Sequence, residues 1–208
     1  MKKLVAIAVL VAALQAHADD DRPALQHMKF VERTEDLTVT LKIGGLFDYA
    51  AFQALSTGYP STIEIQTWVY PRDSNEIVAY TRNVRTVTYD LWDEIYTVKL
   101  CKECKPVTVK SPAEALTLLT SVDDWPVAKL VDLPYEDVYQ LAVRVDLNPV
   151  SKETLAEVRR WLSQGTGGGL DRGGVFFGSF VSVFVNPKIA EADRVIRLRS
   201  QPFFRPKP

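Results

Sequence analysis

Leu37-Thr38-Val39-Thr40-Leu41-Lys42-Ile43 decides the fold class. Leu37, Val39, Leu41 and Ile43 recur at every second residue, with Thr38, Thr40 and Lys42 between them. Successive side chains of a strand point to opposite faces, so this segment is a strand with one buried and one wet face. Working outward, the same period returns. Ile63, Ile65, Thr67 and Val69 oppose Glu64, Gln66, Trp68 and Tyr70. Residues 77–91 are rich in β-branched and aromatic types and read as one long strand. Tyr96, Val98 and Leu100 alternate, as do Leu141, Val143, Val145 and Leu147 against Ala142, Arg144 and Asp146. Ile196 and Leu198 alternate with Arg197 and Arg199. Strands with one wet face belong to antiparallel sheets. Val175–Val185 differs. Val175, Phe177, Val181, Val183 and Val185 on one face and Phe176, Phe180 and Phe184 on the other are all apolar. That is the pattern of a strand covered on both sides.

Three short helices interrupt the strands. Asp48 is placed to cap a helix over 49–56, with Phe47 and Phe52 as a hydrophobic staple and Gly58 past its end. Ser111-Pro112-Ala113-Glu114 is a capping box with proline at the first helical position, leading into Ala115, Leu116, Leu119 and Val122. Ser151 caps a third, whose stripe Leu155, Val158, Trp161 and Leu162 ends at Gly165. Many strands with few helices predict a mainly β fold, a two-layer antiparallel β-sandwich with three short helices, as one domain over 28–208.

The first eighteen residues read as a secretory signal peptide. Lys2 and Lys3 precede the apolar run Leu4–Leu14, and Ala16-His17-Ala18 supplies small residues for cleavage after Ala18. A run of eleven residues is too short for a membrane-crossing helix, which needs ~20. No later stretch spans either, and no Cys near the cleavage site marks a lipoprotein. The mature product is therefore expected in the periplasm or outside the cell. Residues 19–27, acidic and broken by Pro23, read as a flexible lead-in.

Cleavage removes two Lys and leaves 23 basic against 26 acidic residues. Both signs are spread along the chain, so nothing points to nucleic acid or an anionic membrane, which would need a clustered basic face.

Cys101-Lys102-Glu103-Cys104 is the one motif with chemical content. A thioredoxin-like role needs the first Cys at a helix N-terminus, and here an alternating strand precedes it. Haem attachment needs His after the second Cys, where Lys105 stands. Zinc needs two further ligands, and the mature chain offers one His, His27, and no other Cys. A structural disulfide closing a turn between strands is favoured, with thiol–disulfide redox chemistry kept as an alternative. No cofactor or metal is expected.

Residues 165–174 hold six of the ten glycines and Arg172. A backbone nest for an anion is one reading, but the P-loop ending is missing and a strand follows, so a connector is favoured. A Ser–His–acid triad would have to use His27, and no G-x-S-x-G sequence occurs. Trp68, Tyr70, Tyr80, Tyr89, Trp92, Tyr96, Trp125 and Trp161 are read as core or cross-strand pairs, with two exceptions. Trp68 and Tyr70 lie opposite Ile63, Ile65 and Val69, so they are exposed unless a helix covers them.

Certain stretches carry a family resemblance. Ser111-Pro112-Ala113-Glu114-Ala115-Leu116, Asp124-Trp125-Pro126-Val127 and the strand Tyr139–Asn148 resemble the proteobacterial domain of unknown function 4390 family. Leu37–Leu46, the Gly58-Tyr59-Pro60 turn and Tyr89–Leu100 correspond more loosely. The Gly-rich loop, the Phe-rich strand and the Cys pair depart from the pattern. The resemblance implies a secreted, β-rich envelope protein and transfers no catalytic residue.

The reading that follows is a non-enzymatic periplasmic module, monomer or homodimer. It would bind an envelope protein through an exposed sheet face or edge, with Trp68, Tyr70, Phe176, Phe180 and Phe184 as binding candidates. The alternatives are a carrier for a lipid or other apolar ligand between the layers, and a redox protein using Cys101 and Cys104. An outer-membrane barrel conflicts with the three capped helices.

Overall fold

The structure, a computed structural model, describes residues 23–150 and 192–207. The expected signal peptide, the Ser151-capped helix, the Gly-rich loop and Val175–Val185 with Phe176, Phe180 and Phe184 lie outside the described residues.

The chain forms β1 (Ala24–Gln26), β2 (Lys29–Arg33), β3 (Asp36–Lys42), α1 (Tyr49–Ala54), β4 (Ser61–Pro71), β5 (Ala79–Asp90), β6 (Ile95–Lys99) and β7 (Val107–Val109). Then come α2 (Pro112–Thr120), β8 (Ser121–Lys129), a 3-10 turn at Leu130–Asp132, β9 (Val138–Leu147), β10 (Arg194–Ser200) and β11 (Phe203–Phe204). The fold is mainly β, as expected. One sheet runs β1-β10-β9-β4-β5-β6-β7, with β11 also paired to β9; the other runs β2-β3-β8. Every pairing is antiparallel except β1 with β10.

The alternation explains the layers. Val39 of the small sheet and Ile63, Ile65, Val69, Leu141 and Val145 of the large one are sealed between them. Each such side chain contributes about 1.5–3 kcal/mol by leaving water. In α1, Asp48 Oδ1 accepts from the Ala51 amide at 2.8 Å, so the cap forms as expected. In α2, Ser111 Oγ accepts from the Ala113 amide at 3.2 Å, while Ala115 and Leu119 face the core.

Two readings change. Val122, expected on the face of α2, lies in β8 and pairs with Leu41. The helix stops at Thr120 because Ser121 turns extended and its amide closes on the Thr117 carbonyl. Ala24–Gln26, expected inside a flexible lead-in, pairs with Leu198–Ser200, whose backbone gives this short segment hydrogen-bond partners.

β8 had no legible alternation because it is bulged. Leu41 pairs with Val122 but Val39 with Trp125, and Thr38 pairs with Pro126 but Leu37 with Ala128. Each step inserts one extra residue and swaps the facing side chains. Asp124 takes φ +47° at the first bulge, a left-handed conformation that Asp tolerates better than most residues. Arg33 Nη2 holds its carboxylate at 2.6 Å.

Candidate binding groove

The two sheets meet along a seam between β2 and the C-terminal segment. Odd-numbered residues of β3 bond toward β8: the Ile43 amide reaches the Thr120 carbonyl at 2.9 Å, and the Glu35 carbonyl accepts from the Leu130 amide at 2.8 Å. Even-numbered residues of β3 therefore bond β2, where Asp36, Thr38 and Thr40 face Arg33, Val31 and Lys29. The backbone groups of Met28, Phe30 and Glu32 point the other way, off the free edge of β2.

Side chains of the C-terminal segment meet that edge in step. The Gln201 amide imitates a strand at Met28. Its Oε1 accepts from the Met28 N–H at 2.9 Å, and its Nε2 donates to the Met28 carbonyl at 2.6 Å. The Phe203 ring stacks on Phe30, centroids 4.1 Å apart. Arg205 Nε donates to Glu32 Oε1 at 3.0 Å. Among the described residues, the edge backbone groups of Phe30 and Glu32 have no such partner.

Arg205 is only 7 % exposed. Its Nη1 donates to the Leu130 carbonyl at 2.6 Å and, closely, to the Leu133 carbonyl. Its guanidinium carbon sits 4.1 Å from the centre of the Tyr135 ring, a cation–π contact. Its own backbone bonds Glu136 and Asp137. One side chain thus ties the end of the chain to β2 and to the turn after β8. Tyr139 braces the same turn by donating to the Pro134 carbonyl at 2.9 Å, and burial, with Asp137 adding to it, pushes its phenol pKa up.

On either side of the Glu32–Arg205 pair a compartment opens. The larger, about 800 Å³, has Leu130, Val131, Leu133, Pro134 and Tyr135 on one wall and the β2–β3 turn on the other. The smaller, about 310 Å³, is walled by Phe30, Leu37, Leu133, Phe203 and Phe204. Its rim includes Phe204, 56 % exposed. The surrounding charge is acidic. Lys129 is held by Asp36 at 2.9 Å and Lys207 lies 3.4 Å from Glu136. Glu35 and Asp132 add to the field that, after the Asp36 bond, raises the Lys129 pKa. Charged and polar side chains (Glu32, Thr34, Glu35, Lys129, Arg205) thus share the larger compartment with its apolar wall, and such a mixed groove suits a ligand with matching side chains.

A second exposed feature lies at the β5–β6 turn. Trp92 is 95 % exposed, with Leu91 and Tyr59 also in solvent. Asp90 Oδ1 accepts from the Trp92 and Asp93 amides at 2.8 and 3.1 Å, which lowers the Asp90 pKa and closes the turn on itself.

The sequence candidates fall elsewhere. Trp68 and Tyr70 are half-buried on the outer face of the large sheet, and Trp68 lies 5.6 Å from the Tyr80 ring across the strands. Cys101 and Cys104 are joined in a disulfide across the turn between β6 and β7, where a structural disulfide was expected. His27 is exposed between β1 and β2. Among the described residues no group of His, Cys, Asp and Glu is placed to hold a metal, and no helix is long and apolar enough to cross a membrane. Sequence reasoning missed Phe30, Glu32, Phe204 and Arg205. Their one local signal is the paired Phe203-Phe204 beside Arg205.

Residues 20–158 match the family described as Domain of unknown function (DUF4390), and the chain belongs to that family. No curated protein matches, and no solved structure matches.

Proposed function

We propose that this DUF4390 protein is a non-enzymatic, exported binding module of the cell envelope, and that it receives a polypeptide partner in the groove beside β2. The leader-like N-terminus supports export. The observation that carries the binding role is the pair of compartments flanking Glu32 and Arg205, each with an apolar wall beside charged and polar side chains. Apolar walls supply affinity, and the fixed charge pair between them supplies orientation. The Cys101–Cys104 disulfide serves in this reading as a staple for the edge of the large sheet.

Two experiments test it. N-terminal sequencing of the protein from fractionated cells should begin at Asp19, in the periplasmic fraction; an intact Met1 in cytosol rejects export. A photo-crosslinking residue in place of Phe204 should trap one discrete protein in intact cells, and a further Val131→Asp change should abolish the adduct. The exposure of Trp92 favours a second reading, docking through the β5–β6 turn. A discrete adduct from position 92 and none from position 204 would select it.

A further inference from the structure

We infer that the partner lies in the groove as an added strand on β2, with an apolar–x–basic–x–apolar pattern on its inward face. This rests on the groove being the binding site. Three observations lead to it. First, the free edge of β2 already accepts a strand-like partner, because the Gln201 amide bonds both the N–H and the carbonyl of Met28. Second, the next two edge positions, Phe30 and Glu32, are directed into the groove and have no backbone partner among the described residues. An extended peptide fills such an edge with main-chain hydrogen bonds, and its alternate side chains enter the pockets. Third, the compartments lie on either side of Glu32 and Arg205, with Phe30 and Phe203 lining one and Leu130, Val131 and Pro134 the other. Side chains two residues apart on a strand are about 6.6–6.8 Å apart along the chain. One inward residue meets Phe30 and Phe203, the next meets Glu32, and the third meets Leu130, Val131 and Pro134.

Charge selects the middle residue. Arg205, Lys129 and Lys207 are already paired, to Glu32, Asp36 and Glu136. Glu35, Asp132 and Asp137 have no ion-pair partner among the described residues. Glu32 is itself about half exposed, so one carboxylate can serve Arg205 and still face an incoming Lys or Arg. The opposite face of β2 carries Lys29 and Arg33, so small polar residues suit the outward positions of the guest.

The probe is the heptapeptide Ac-Thr-Val-Thr-Lys-Thr-Val-Thr-NH2, titrated into the full mature chain. The readouts are amide NMR shifts and hydrogen exchange. Binding should saturate, slow exchange at Phe30 and Glu32, and leave the amides around Trp92 unmoved. Methylating the backbone nitrogens on the edge that faces β2 should weaken binding about tenfold or more, since those N–H groups make the strand bonds. Replacing the peptide Lys by Glu should weaken it by a similar factor. Undiminished binding of the methylated peptide overturns strand addition but leaves the groove standing, as does a Phe204 adduct in cells without peptide-induced protection at β2. No saturable binding at millimolar peptide, combined with no adduct at position 204, overturns both. Protection of Phe30 and Glu32 that rises with protein concentration alone assigns the edge to a second copy and overturns the proposal.

Discussion

Arg85 and Arg205 are both buried, and both spend one guanidinium nitrogen on backbone carbonyls, but one closes the sandwich and the other stands at its opening. Arg85, on the inward face of β5, donates from Nη1 to the Leu118, Leu119 and Ser121 carbonyls at 3.0, 2.9 and 2.6 Å. It caps the C-terminus of α2, where the helix dipole leaves unbonded carbonyls and favours a cation. Among the described residues no carboxylate bonds it. Burial pushes its pKa below arginine's usual range, with Asp123 opposing that shift. Its Nε and the nearby Asn83 Oδ1 are buried without a hydrogen-bond partner among the described residues. Arg205 also takes two carbonyls, but adds Glu32 and Tyr135 and borders two compartments. The difference teaches where stability and binding are separated. One arginine locks a helix end against the large sheet, and the other holds a seam where β2 still has bonds to give.

The sharpest break of this comparison is Arg85→Ala. It strands three carbonyls in the core and should cost about 3 kcal/mol in denaturant unfolding. A loss below about 1 kcal/mol would remove Arg85 from the account. Arg205→Ala should cost less, about 2 kcal/mol, because the exposed seam lets water reach the freed carbonyls. It should also abolish binding of the heptapeptide, which Arg85→Met, if folded, should retain.

A third arginine extends the series. Arg82 takes a carboxylate, with Nε and Nη2 each 2.7 Å from Glu64. That bond is the main reason the Glu64 pKa is lowered, with burial opposing it. A depressed folded pKa means the contribution is complete above the unfolded value, near 4.3, and is lost as pH falls through the folded value. The stability gap between wild type and Glu64→Gln, roughly 1 kcal/mol at pH 7, should hold down to about pH 5 and shrink below about pH 4. The Arg85 gap should show no such shrinkage from this cause, since carbonyls do not titrate. The smallest effect belongs to Trp92→Ala, which should leave stability within about 0.5 kcal/mol of wild type. A larger loss would mean that the β5–β6 turn is structurally coupled to the core.

The layers were legible because alternation is a local signal. Leu37–Ile43 and Ile63–Val69 state their faces residue by residue, and Asp48 and Ser111 state their caps. β8 was not legible, because two bulges reset its period at Asp124 and Val127. Val122 reads as part of α2 for the same reason, since helix and strand readings of a short apolar run diverge only where the chain finds its partner. The groove was out of reach for a different reason. Glu32 and Arg205 are 173 residues apart, and nothing local marks either as a member of a pair. The disulfide was accessible because its residues are close in sequence and the flanking strand pattern set its context.

The central claim is that β2 carries a free, inward-turned edge beside Arg205. Residue-resolved amide exchange on the isolated mature protein tests it most directly. The amides of Val31 and Arg33, bonded to β3, should be protected, while those of Phe30 and Glu32 should exchange at least about tenfold faster. Equal protection along all four residues would mean that the edge is already filled, and would contradict the account.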